Sequence, residues 1–116
     1  MKYMLLMYSN EAEMPKLTPD ELKDLQQDWY TYMKEAEAAG VLVDNNGLSH
    51  VATATTVRVR NGKTLTTDGP FAETHEQLAG FSIFNCKDLD EAIGWAARVP
   101  TAKYGSIEIR TLYLQK

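Results

Sequence analysis

Asp68, Glu73 and His75 lie close together in the run Asp68, Gly69, Pro70, Phe71, Ala72, Glu73, Thr74, His75, Glu76 and Gln77. Carboxylates beside an imidazole can accept, hold and return a proton near neutral pH. As chemistry, Asp68 would be a general base or would orient a substrate hydroxyl, with Glu73 as a supporting acid or orienting group. As structure, Asp68 would cap the turn by accepting backbone N–H groups, and Glu73 would pair with an arginine or cap Gln77. Pro70 fixes its own φ and Gly69 reaches angles closed to other residues, so the turn is more constrained than a plain connection needs. His75 sits in a short polar segment, where a solvated side chain is the commoner outcome.

Four other groups could bear chemistry. Trp29, Tyr30 and Tyr32 could line an aromatic pocket for a small ring-bearing ligand, although Trp29 also continues an apolar helical stripe. Phe71, beside Pro70, would anchor the turn into the core or across a subunit interface, and with Trp29, Tyr30 and His75 it completes the candidate binding set. Arg58 and Arg60 alternate on an extended segment, where they could hold an anion or simply face solvent. His50 precedes Val51 in a connection and has no partner nearby in sequence, which predicts a surface position. The two histidines lack metal-ligand spacing, and there is neither a glycine-rich phosphate loop nor a nucleophile elbow. No metal and no cofactor are expected.

The 116 residues suit one domain spanning 1–116, with 44% hydrophobic and 24% charged residues, as in ordinary globular proteins. A net charge of −4 and scattered basic residues argue against nucleic acid as a partner. Cys86 is the single cysteine, so no internal disulfide can form, which fits a reducing cytoplasm; at the end of an apolar strand it reads as a small buried hydrophobe. The apolar start is too short for a signal peptide, and no segment reaches the length of a membrane span.

The elements that must position these residues follow from periodicity. Residues 2–8 form an apolar run of strand length. Thr18, Pro19 and Glu21 spell an N-cap, a first-turn proline and a capping box, with Leu17 and Leu22 as a hydrophobic staple. Leu22, Leu25, Trp29, Met33 and Ala36 make one helical stripe, and Gly40 ends it. Residues 41–43 predict a short strand followed by a loose turn at 44–47. Residues 55–60 and 63–67 predict a hairpin around Asn61 and Gly62. Residues 80–86 predict another strand, and Asp88 with Glu91 caps a second helix with Leu89, Ala92, Ile93 and Ala96 facing the core, stopped by Pro100. Residues 106–114 form the last strand.

With the hairpin set aside, the order is that of an α+β ferredoxin-like βαββαβ antiparallel sheet with two helices on one face. Residues 2–8 and 80–86 are apolar on both faces, and helices cover only one. A homodimer packed sheet against sheet would cover the other.

The run from Asp68 to Phe81, with residues 87–100 after it, resembles the DGPF-domain branch of the YCII-related family. Residues 1–8, the junction at 38–42 and residues 52–60 match it in order and spacing, and the match is densest over 67–100. The resemblance implies a dimeric α/β barrel, in which paired sheets enclose pockets. It further implies a small-molecule-binding protein and, if catalytic, cofactor-independent acid–base chemistry on a small hydroxylated or aromatic compound. One YCII-like member is associated with removing chloride from a chlorinated hydroxyquinol. YCII-like proteins carry a His on the first helix near an Asp; reading back without gaps from Val41, Leu42 and Val43 puts Trp29 there, and Trp cannot shuttle protons. DGPF-domain proteins are often encoded beside extracytoplasmic-function sigma factors, so the rival implication is a non-catalytic regulatory module that binds a metabolite or a protein partner.

Overall fold

The capping box at Thr18 is complete. Thr18 Oγ1 accepts from Glu21 N at 3.1 Å and Glu21 Oε1 accepts from Thr18 N at 3.0 Å, with Pro19 opening helix α1 (Pro19–Ala38). Gly40 ends the helix at φ +71°. A computed structural model describes residues 1–113. Around α1 it sets β1 (Lys2–Ser9), β2 (Leu42–Gly47), β3 (Thr55–Arg60), β4 (Lys63–Asp68), β5 (Gln77–Asn85), α2 (Leu89–Ala97) and β6 (Gly105–Thr111). The predicted end of the last strand, Leu114, lies outside the described residues.

Four strands form one antiparallel sheet in the order β2-β5-β1-β6, the ferredoxin-like arrangement, and β3 with β4 forms a separate two-stranded sheet. Tyr3, Leu5 and Met7 alternate onto the face that meets both helices, where they pack with Tyr32, Ala36, Phe84, Ala92, Ala96 and Val99. Leu5 and Phe84 are fully buried, and each contributes roughly 2–3 kcal/mol by removing apolar surface from water. The opposite face carries Met4 beside Ile83 and Leu6 beside Phe81, all half-buried with no helix over them.

Several details depart from the sequence expectation. β2 continues through Asn45 and Asn46 to Gly47, where a loose turn was expected, because pairing with β5 satisfies the backbone despite poor strand formers. Tyr32 belongs to the core of α1, and its hydroxyl donates to the Trp95 carbonyl at 2.9 Å. Leu22 is largely exposed. On α2, Ala92 and Ala96 are buried, but Leu89 and Ile93 face outward; Trp95 takes part of their expected place against the core. The short helix crosses the sheet with small residues inward, which leaves the bulkier pair outside.

The hairpin turns at Asn61 and Gly62, both at positive φ, as the Asn-Gly pair predicts. Its strands pack chiefly on one another. The radius of gyration, 16.3 Å, exceeds the roughly 13 Å of a compact domain of this length, so the hairpin projects as an arm. Val57 and Val59 on one face of it and Leu65 on the other are exposed.

A candidate active cleft beside the Glu11–His50 pair

β1 ends at Ser9, and the chain turns at once: Asn10 accepts from Ala12 N through Oδ1 and from Glu13 N through its carbonyl, at 2.9 and 3.0 Å. Glu11 rides on this turn, its own backbone N–H donating to Gln77 Oε1 at 2.9 Å. Across from it, a short 3-10 turn, Val51–Thr53, begins at His50. Glu11 Oε2 accepts from Val51 N at 3.0 Å, and Oε1 lies 3.2 Å from His50 Nε2. His50 Nδ1 accepts from Ala52 N at 3.0 Å.

These contacts fix the imidazole. A backbone N–H can only donate, so Nδ1 carries a lone pair, and the ring proton sits on Nε2 facing Glu11. Glu11 is therefore a carboxylate that receives two N–H groups, one on each oxygen. Each oxygen retains a further lone pair. Its side chain is 19% exposed, against 62% for His50.

The pair borders a cleft of about 490 Å³ on the helix side of the sheet, at the Ser9 end of β1, a size suited to one small ligand. Met7, Ala79 and Gly80 contribute sheet residues, Trp29 comes from α1, and Met14 and Pro15 come from the connection before it. Gly80 is required here, since a Cβ would lie 2.7 Å from the Asn46 carbonyl oxygen on β2. Among the described residues, the lining contains no Lys or Arg. Trp29 is half-buried and meets Tyr32 edge-on with ring centres 5.9 Å apart. The ring thus packs and lines the cleft at once.

A second cleft, about 680 Å³, lies under the segment that follows β4. Tyr8, Phe71, Glu73 and Glu76 line it, and His50 borders both clefts. Glu76 Oε1 accepts from the Ser106 hydroxyl at 2.8 Å. Burial, and then the Glu108 carboxylate, raise the Tyr8 phenol above its ordinary value.

The residues singled out from sequence do not gather at one site: Trp29 lines the first cleft, Phe71 and Glu73 share the second, and Trp29 and Tyr30 share a third beside α1. Asp68 is the last residue of β4, exposed, paired with Thr55 and part of neither cleft. Gly69, at φ +98°, donates its N–H to the Ala54 carbonyl at 2.7 Å, so the turn is held by backbone and by Thr56, whose hydroxyl reaches the Gly69 carbonyl at 2.9 Å. Phe71 is 78% exposed and so anchors no core; its carbonyl accepts from Arg58 at 3.4 Å. His75 is exposed and borders neither cleft. Tyr30 is exposed, with Lys34 Nζ 5.6 Å from its ring centre. Cys86 is buried, and burial together with the Glu91 carboxylate pushes its thiol up to about 11, which leaves it protonated and unreactive. His50 is at the surface as expected, but with Glu11 as its partner. Forty residues separate Glu11 from Val51, and neither end of the contact carries a local signal.

The fold is α+β and ferredoxin-like, with an extra hairpin and a mostly apolar cleft at the strand ends. A family model for the YCII-related domain matches residues 1–115. An uncharacterised protein of Rhizobium meliloti (strain 1021) is 36% identical over 118 aligned residues, covering all of this chain and 95% of that protein. The chain belongs to the YCII-related family.

Proposed function

We propose that this protein binds a small, flat, hydroxylated compound in the cleft beside Trp29 and removes a proton from it, with Glu11 as the base. The observation that carries this reading is the Glu11 carboxylate, held by the Val51 N–H and the His50 Nε2–H at the border of a mostly apolar cleft. The substrate O–H bond breaks, an O–H bond forms on Glu11, and the negative charge passes to the substrate oxygen. His50 acts as a positioning residue, because both of its ring nitrogens are engaged. Trp29 supplies a flat apolar wall. Glu73 contributes to the second cleft, which His50 shares, as an orienting group. In this reading Asp68 belongs to the arm.

The working assembly is a homodimer packed through the helix-free face of the sheet, because Met4, Leu6, Phe81 and Ile83 would otherwise leave apolar surface in water. Sedimentation as a dimer at micromolar concentration is expected; a folded monomer refutes the pairing. A second reading is a non-catalytic module that docks a regulatory protein, and the exposed Val57, Val59 and Phe71 favour it.

A screen of phenols and cyclic enols by native mass spectrometry, followed by isotope exchange at the acidic proton's conjugated positions, tests the primary reading. Glu11→Gln should lower exchange by about 10²–10⁴-fold, while Asp68→Asn leaves it unchanged. The reverse pattern returns the base to Asp68. Binding without exchange in the parent protein favours the non-catalytic module.

A further inference from the structure

The polar atoms of the Trp29 cleft are unequal in what they can still bind. Asn45 lines the cleft, and its Oδ1 already accepts from the buried Ser82 hydroxyl at 2.5 Å. With Oδ1 so engaged, what remains for a ligand is a pair of N–H donors, which have no acceptor among the described residues. Ser9 also lines the cleft; it is 95% buried, since only 5% of it is exposed, and its hydroxyl has no partner among the described residues. Opposite in character stands Glu11, which offers lone pairs and a negative charge. With no Lys or Arg in the lining among the described residues, an anionic ligand would face that carboxylate without a Lys or Arg counter-charge.

Resting on the reading of Glu11 as a base, we infer that the ligand is an uncharged ring compound carrying both a hydroxyl and a carbonyl. The hydroxyl donates to Glu11, and the carbonyl oxygen accepts from Asn45, with Ser9 as the second polar contact. Met7, Met14 and Trp29 hold the ring. A carbonyl conjugated with the hydroxyl also disperses the charge left when Glu11 takes the proton, so the same Asn45 donors that select the ligand stabilise its anion.

Three ring compounds of nearly equal size discriminate: 4-hydroxyacetophenone, 4-hydroxybenzoate and 4-methoxyacetophenone. Binding is read from the quenching of tryptophan fluorescence and by calorimetry on the full chain. The hydroxyketone should bind at least tenfold more tightly than either the benzoate or the methoxyketone. In Asn45→Asp, which keeps the acceptor for Ser82 and loses the donors, hydroxyketone affinity should fall at least tenfold with the melting curve retained. Asn45→Ala, should it fold, repeats the loss; Ser9→Ala gives a smaller one. Tighter binding of the benzoate, equal binding of the methoxyketone, or an Asn45→Asp variant that binds as the parent does overturns the assignment of groups while leaving the cleft a ligand site. Failure of all three to bind overturns this inference. If the proton-exchange screen also returns nothing, the base reading falls with it.

Discussion

Replacing Glu11 with alanine removes the acceptor for the half-buried Val51 N–H and the carboxylate facing His50. A hydrogen bond to a charged acceptor contributes about 1.5 kcal/mol, and a contact with a ring as exposed as His50 adds about 0.5 kcal/mol. The loss is therefore about 2 kcal/mol. A domain of this size shifts by roughly 4 °C per kcal/mol, so the melting temperature of Glu11→Ala should fall by about 8 °C. Glu11→Gln keeps one carbonyl oxygen for Val51 and should cost less than half as much. Near-ultraviolet and fluorescence melts in parallel would measure both. The 15N shifts of the His50 ring give an independent check: the Nε2–H tautomer should persist in Glu11→Gln, because Ala52 N–H still occupies Nδ1. A Glu11→Ala protein that melts within a degree of the parent, or an Nδ1–H tautomer in the parent, would refute the reasoning.

Thr18→Ala should cost about 1 kcal/mol by releasing the Glu21 N–H from its cap; an unchanged urea midpoint would show that the cap is idle. Cys86 should resist iodoacetamide at pH 8 until the chain unfolds. Its thiol ionises at about 11 in the folded state, against 9.0 for the free group. Between those values the unfolded chain releases a proton that the folded one keeps, so stability falls with rising pH, by at most about 2–3 kcal/mol over the window. The alkaline decline should be shallower in Cys86→Ala; equal slopes would show that this thiol is not responsible.

What the sequence made legible was local. The capping box, the Asn-Gly hairpin and the alternation of Tyr3, Leu5 and Met7 are each encoded by neighbours in the chain, and each appears as expected. The order of elements then sufficed for the ferredoxin-like sheet. Asn45 and Asn46 were read as turn residues because strand pairing with β5 is a tertiary effect that local propensity does not contain. The candidate site was harder for the same reason. Glu11 meets His50 only because β1 and the segment after β2 end at one side of the sheet. The conspicuous cluster around Asp68 drew attention through composition, whereas the carboxylate beside the Trp29 cleft stands in an unremarkable polar connection.

The arm has a consequence for how the molecule opens. β3 and β4 share no sheet with the core strands, and the Gly69 and Thr56 bonds at their base join the two strands to each other rather than to the core. A two-stranded ribbon alone is marginally stable. Its amide protons should therefore exchange with solvent through fraying of the ribbon itself, orders of magnitude faster than those of β1 and β5, whose release requires the whole domain to unfold. The domain thus has two opening units of different stability, and the protection measured at Val57 and Val59 would register anything that comes to rest on the ribbon while the core amides stay silent.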